Sequence, residues 1–360
     1  MNNLYGTKGI SIIMYKHLIL FLVCVMLSAC SIQSSFLFKQ RMTFVSGGVD
    51  LCGTLVTPTK ISGPYPVVVM VHGDGPMSFD AFGYYQPIWA EFAQRGIATF
   101  SWDKPGIGCS TGNWMQQSME DRTENVKNAI AFLQTLDKTV DKENIGIMGF
   151  SQAGWVLPKV SQHQYNVDFA VFVGTAVNWL RQGEYHSSVN NSVNTSPYQN
   201  TEDSFLTQSL KKSLTFDEYV KAFNDNESIK SAKSEPFKET ILDDEARYDF
   251  IAKNWKSDAE ADLSKIDIPV LAAFGKADLN VDVAESISYY KQAFTGSSTE
   301  LLSIKEFEGA THGLMHSWFW NTQNPGISHI LMIDIFGKNM FADNAIDDIS
   351  SWIEQQTKDE

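Results

Sequence analysis

The stretch that most limits what this chain can fold into is Gly149-Phe150-Ser151-Gln152-Ala153-Gly154. Ile145-Gly146-Ile147-Met148 before it reads as a short buried strand, and Trp155-Val156-Leu157 after it continues an apolar pattern compatible with a helix. A serine between strand and helix with small residues on both sides has the layout of a nucleophile elbow. The turn is so tight that the serine backbone is strained and its neighbours must be small. The usual pattern closes on glycine. Here Ala153 takes that place and Gly154 follows it.

A strand that delivers a serine in this way needs a sheet around it. Val67 to Val71 is apolar without alternation, which is how a strand buried on both faces reads. It runs into His72-Gly73-Asp74-Gly75-Pro76, a glycine-rich turn at a strand end, where open α/β sheets leave backbone N–H groups facing a cleft. Upstream, residues 36–46 and 49–57 form two strands across a Gly47-Gly48 hairpin turn. Downstream, helical and strand patterns alternate: a helix from Pro87 to Arg95 ended by Gly96, a strand from Ile97 to Trp102, and an amphipathic helix over 119–136. Phe169 to Gly174 is the next strand. Pro269 to Phe274 and Glu300 to Phe307 are the last two, with a helix from Ile287 to Phe294 between them, and residues 344–356 close the chain as a helix. The expected fold class is α/β: a mostly parallel sheet with helices on both faces, entered through an antiparallel hairpin.

The alternation breaks between residues 176 and 266. Its aromatic residues (Tyr219, Phe223, Phe237, Tyr248, Phe250, Trp255) and helical spacing favour a mainly helical cap inserted between two late strands over a structureless linker. The core is then 30–175 and 267–360.

Residues 1–29 are set apart from the fold. Lys16 and His17 precede an apolar run, Leu18 to Leu27, too short to span a bilayer, and Leu27-Ser28-Ala29-Cys30 follows. This resembles a bacterial lipoprotein signal, which implies Cys30 as the lipidated first residue, with Ser31 favouring the outer membrane and a periplasm-facing enzyme. Met14 is the more typical start. Without the leader the net charge of −14 loses Lys8 and Lys16 and becomes −16. So acidic a chain repels phosphates and is no nucleic-acid partner. No Cys or His spacing suggests a metal, and no cofactor is expected. Cys52 and Cys109 remain outside the leader. Nothing in the sequence brings them together, and two unpaired buried thiols is the reading taken here.

An alkyl hydroxyl needs a base, the base needs an orienting carboxylate, and the anion formed needs N–H donors. Ser151, Asp278 and His312 each lie just beyond a strand, so all three fall along one sheet edge, in the order Ser, Asp, His. Asp282, four residues on, reads as a helix N-terminal residue. His316 lacks the Gly309-Ala310-Thr311 lead-in, His72 serves its turn structurally, and His163, His186 and His329 read as incidental.

With these landmarks in order, nearly all of the chain beyond the leader resembles the α/β-hydrolases. The H-G-x-G-P turn and the G-x-S-Q-[GA]-G elbow are similar to those of esterases and of prolyl-oligopeptidase-type or serine-aminopeptidase-type hydrolases. The resemblance implies Ser151 as nucleophile, His312 as base, Asp278 as orienting acid, and main-chain N–H groups of Asp74 and Gln152 as the oxyanion hole. Because only the Asp74 N–H is needed there, its carboxylate must point away. The expected activity is acyl-enzyme cleavage of a small ester. Cleavage of short peptide amides, or binding by a non-catalytic surface protein on a hydrolase scaffold, are the alternatives.

Overall fold

The computed structural model describes residues 37–190, 204–227, 241–323 and 327–357. The leader and Cys30 lie outside them.

Eight strands form one sheet in the order β1-β2-β4-β3-β5-β6-β7-β8. β1 (Leu37–Ser46) and β2 (Val49–Pro58) are the hairpin, turning on Gly47 and Gly48, both at positive φ. β2 pairs antiparallel with β4 (Ala98–Trp102). From there on, β3 (Tyr65–Val71), β5 (Val140–Phe150), β6 (Phe169–Val173), β7 (Val270–Gly275) and β8 (Leu302–Phe307) are all parallel. Parallel pairing needs crossovers, and the helices that supply them cover both faces.

The two faces are filled by alternate residues of the same strands. Val67, Val69, Ile145, Ile147 and Phe172 point into one core, where α2 (Met119–Leu133) and α8 (Val283–Ala293) pack. Val68, Met70, Met148, Val171 and Val173 point into the other, beneath α1 (Gln86–Gln94) and the C-terminal α11 (Ala345–Gln356). Burial on both faces is why these strands carry apolar residues without alternation. α2 begins at a capping box between Ser118 and Asp121, and Asp282 caps α8 by accepting from the Glu285 N–H.

Between β6 and β7 the chain leaves and re-enters the sheet at one point. An Asn178↔Asp258 bridge and the Ala259 N–H to Val177 carbonyl bond tie the two ends together. The described residues between them form α3 (Trp179–Asn190), α4 (Phe205–Lys211), α5 (Phe216–Asp225) and α6 (Glu245–Asn254), with α7 (Glu260–Leu263) just past the tie. Their aromatic residues supply their own packing: Tyr219 and Tyr248 stack at 5.0 Å, and Phe250 meets Trp114 of the core. After β8 come α9 (Ser317–Trp320) and α10 (Ile327–Phe336).

Two expectations are corrected. Cys52 and Cys109 are joined in a disulfide, not left as free thiols. The loop after β4 folds back on β2, where Ser110 Oγ accepts from the Cys52 N–H and donates to the Asp103 carbonyl, and this brings the thiols together across 57 residues. The segment after Ser151 is also not a regular α-helix. It forms two 3₁₀ turns, Ser151–Trp155 and Leu157–Lys159. Pro158 lacks an N–H and would clash with the carbonyl four residues back, so an α-helix cannot run through it.

Candidate active site

Ser151 follows the last residue of β5. Phe150 is extended, and Ser151 turns to φ +51, a left-handed conformation that non-glycine residues avoid. The elbow tolerates Ala153 because of Gly149: a Cβ there would lie 2.7 Å from the Ala153 methyl, which instead fills that space, fully buried. Gly154 has no such freedom, since a Cβ would approach the Ala176 carbonyl to 2.6 Å.

His312 lies past the end of β8, and Asp278 past the end of β7. The two meet at 2.8 Å between His312 Nδ1 and Asp278 Oδ2. A carboxylate only accepts, so Nδ1–H donates, and neutral His312 keeps its lone pair on Nε2. The Asp278 side chain is fully buried, and its other oxygen accepts from the N–H groups of Asn280 (2.7 Å) and Val281 (3.0 Å). These bonds fix the carboxylate, and through it the imidazole.

Strand register places Gly174, which carries His312 over it, beside Ser151. Phe150 pairs with Val173, so Ser151 and Gly174 occupy the next positions on adjacent strands. Gly174 sits at φ +56 directly under His312: a Cβ would lie 2.6 Å from the His312 carbonyl and 3.1 Å from Nδ1. On the opposite side of the serine, a Cβ on Gly73 would lie 3.2 Å from the Ser151 Cβ. The glycines that follow both neighbouring strands therefore leave room for His312 over one side of this edge and for a backbone turn against Ser151 on the other.

The Gly73 turn places Asp74 at the same edge. Among the described residues nothing accepts a hydrogen bond from the Asp74 N–H. Its carboxylate is drawn away by a two-point pair with Arg247 of α6, at 3.1 and 2.6 Å. Burial works against ionisation of Asp74, but the charge and hydrogen bonds of Arg247, with Lys104 behind, outweigh it and lower its pKa to about 2. Gln152 is the second residue of the Ser151–Trp155 3₁₀ turn, where first-turn N–H groups lack a partner within the helix.

His72 has no share in this edge. It is buried, with Nε2 2.6 Å from the Trp102 carbonyl and Nδ1 2.9 Å from the Tyr85 hydroxyl. A carbonyl only accepts, so Nε2 carries the proton and Nδ1 accepts from Tyr85. Burial, and then the charge of Lys104, lowers its pKa to about 3. His316 faces Asp343 at 3.9 Å, away from Asp278, while the His163 N–H donates to Asp267. His186 is half-buried, and burial, then the charge of His312, lowers its pKa, with Asp278 opposing. Its neighbour Tyr185 donates to the Asp278 carbonyl at 2.8 Å. Trp318 is exposed and Trp320 buried in the C-terminal layer.

Several residues at this edge carried no sequence signal. Arg122, Lys104, Arg247, Tyr185 and Gln323 all reach it from elsewhere, Gln323 through the carbonyls of Leu279 and His186. Their spacing matches no motif. Among the described residues, no cluster of three metal-binding side chains occurs, and no helix is long and apolar enough to cross a membrane.

The strand order and the crossovers, with serine, aspartate and histidine after β5, β7 and β8, define an α/β-hydrolase. Residues 62–317 match the family described as serine aminopeptidase, S33, and the chain belongs to that family of hydrolases. It is 32% identical over 101 residues to Esterase FrsA of Escherichia fergusonii, a stretch that covers 28% of this chain and 23% of that protein. The match thus spans about a quarter of its curated relative. Two solved structures share the fold. Est1E from Butyrivibrio proteoclasticus, with ferulic acid bound, has a TM-score of 0.51 at 15% identity, over 87% of this chain and 96% of its own. Proline iminopeptidase from Mycobacterium smegmatis has a TM-score of 0.53 at 13% identity, over 88% and 98%.

Proposed function

We propose that the protein is a serine hydrolase that cleaves a carboxylic ester through an acyl-enzyme on Ser151. His312 Nε2 takes the Ser151 proton as Oγ attacks the carbonyl carbon. It then returns that proton to the leaving alcohol. Water, deprotonated by the same nitrogen, releases the acid and restores the serine. Asp278 holds the reacting tautomer and stabilises the imidazolium. The N–H groups of Asp74 and Gln152 receive the oxyanion. The observation that carries this reading is the seat of His312: bonded to Asp278 through Nδ1 and resting on Gly174, one position across from Ser151. The segment 176–266 acts as a cap, with Arg247 its contact to the oxyanion turn.

The Ser151→Ala variant should lose roughly 10⁴-fold or more in turnover of a p-nitrophenyl ester. Wild-type turnover by that variant rejects the assignment.

A peptidase reading draws on the family's aminopeptidase description. Against it, the Asp74 carboxylate is already committed to Arg247 and is not open to a substrate ammonium. Assays of aminoacyl and dipeptidyl amides beside esters separate the two. A retired scaffold would leave a fluorophosphonate probe unreacted.

The proposal extends to location: export, lipid attachment at Cys30 and residence in the outer membrane facing the periplasm. The Cys52–Cys109 bond suits an oxidising compartment. Labelled fatty acid should enter the wild-type chain and not Cys30→Ser.

A further inference from the structure

Two cations lie buried under the turn that carries Asp74. Lys104 is 4% exposed and Arg122 6%. Neither has a carboxylate within ion-pair distance among the described residues. Unpaired buried cations are costly, and well-packed apolar residues in their place are often more stabilising. Their contacts give them a use. Lys104 Nζ donates to the carbonyls of Gly73 (2.6 Å) and Gly75 (2.9 Å). Arg122 donates through Nη2 to the His72 carbonyl and through Nη1 to the Gln152 side-chain oxygen.

The Gly73 carbonyl and the Asp74 N–H belong to one peptide plane. In a trans peptide they point in opposite directions. A donor that captures the Gly73 oxygen therefore aims the Asp74 N–H the other way and polarises it as a donor. Arg122 spans from the turn after β3 to the elbow after β5. Its rigid fork sets the spacing between the two segments that bear the two donors. Burial lowers the Arg122 pKa to about 10, with Asp74 opposing, so Arg122 stays a cation at neutral pH. Burial, and then the charge of Arg122, lowers the Lys104 pKa well below its ordinary value, and its Nζ donates to the Gly73 and Gly75 carbonyls with or without the extra proton.

We infer that Lys104 and Arg122 are positioning residues of the oxyanion hole, a buried hydrogen-bonding clamp that fixes the Asp74 and Gln152 N–H groups relative to Ser151. The inference rests on the reading of Ser151 as nucleophile.

The test is steady-state ester hydrolysis by Lys104→Met, Arg122→Met and Arg122→Lys, with thermal midpoints and the affinity of a phenylboronic acid. That probe forms a tetrahedral anion on the serine. Lys104→Met should lose about 10²-fold in kcat, the scale of one lost oxyanion donor, with KM within about threefold and an unchanged or higher midpoint. Boronate affinity should fall in parallel. Arg122→Lys keeps the charge and should recover part of the loss shown by Arg122→Met. If Arg122→Met does not fold, Arg122→Lys and Lys104→Met still decide the matter by boronate affinity. Wild-type kcat and boronate affinity in folded variants overturn the inference, as does a loss of kcat that only follows a loss of midpoint. Should Ser151→Ala be inactive while these variants are not, this inference alone fails. Should Ser151→Ala be active, the reading beneath it fails as well.

Discussion

Two histidines stand at two strand ends in this molecule, each within a glycine-bearing turn, and their surroundings make them opposites. His312, after β8, is partly exposed and hydrogen-bonded to a buried carboxylate. His72, after β3, is buried between a carbonyl, a tyrosine hydroxyl and two cations, and burial with those cations resists its protonation. An imidazole that must accept a proton needs an anion behind it. One that must stay fixed and neutral beneath an oxyanion turn is served by cations. The side chain is the same, and the neighbours select the role.

The largest effect should come from the His312 side. His312→Ala should reduce kcat/KM for a p-nitrophenyl ester by about 10⁴-fold or more, and Asp278→Asn by roughly 10³- to 10⁴-fold through the wrong tautomer. His72→Phe should change kcat far less. Equal losses at the two histidines would break the comparison.

Next is the bond that holds the Lys104 loop to β2. Chain-entropy arguments give about 4 kcal/mol for a loop of the 57-residue Cys52–Cys109 separation. Urea unfolding of Cys52→Ser/Cys109→Ser against wild type measures it. A shift below about 1 kcal/mol would mean that the loop's hydrogen bonds suffice without the bond.

The acid limb of the stability curve sharpens the contrast further. The folded-state pKa of His72 lies near 3, below its ordinary value of 6.5, so the unfolded chain binds a proton that the folded chain refuses. Stability should therefore fall as pH drops from about 6.5 toward 3, by up to ~1.4 kcal/mol per pH unit from this group. Asp74, lowered to about 2, adds a further loss between about pH 3.8 and 2. His72→Phe should flatten the upper part of this limb in pH-dependent urea titrations and leave the lower part unchanged.

The smallest effect concerns Arg247. Its removal in Arg247→Met leaves the Asp74 carboxylate beside the developing oxyanion. A loss of about tenfold in kcat is expected, reversed by adding Asp74→Asn. Failure of the second substitution to rescue would show that the ion pair matters to cap placement and not to charge.

The edge that bears Ser151 was legible because it is built locally. The elbow, the Gly73 turn, Asp278 and His312 each sit within a few residues of the strand that aims them, and the unalternating strands announced a covered parallel sheet. The assignment of Asp282 as a helix cap had the same basis. What stayed hidden acts across distance. Cys52 and Cys109 meet because a loop folds back on a strand. Tyr185 reaches the Asp278 carbonyl from an inserted helix. Arg122 looks like any arginine in the first turn of an amphipathic helix until its guanidinium is found between two strand ends. Even the 3₁₀ turns after Ser151 followed from Pro158, whose cost to a helix outweighed the apolar pattern around it.

By itself, then, the sequence determined the α/β order and the three groups at the strand ends, because period, turn chemistry and capping act over a few residues. Tertiary structure alone decided which histidine meets a buried carboxylate and which a carbonyl and a hydroxyl, where the Asp74 charge points, and which basic side chains bond to the Gly73 turn. Those properties depend on burial and on partners brought together from far along the chain, and no local pattern encodes either.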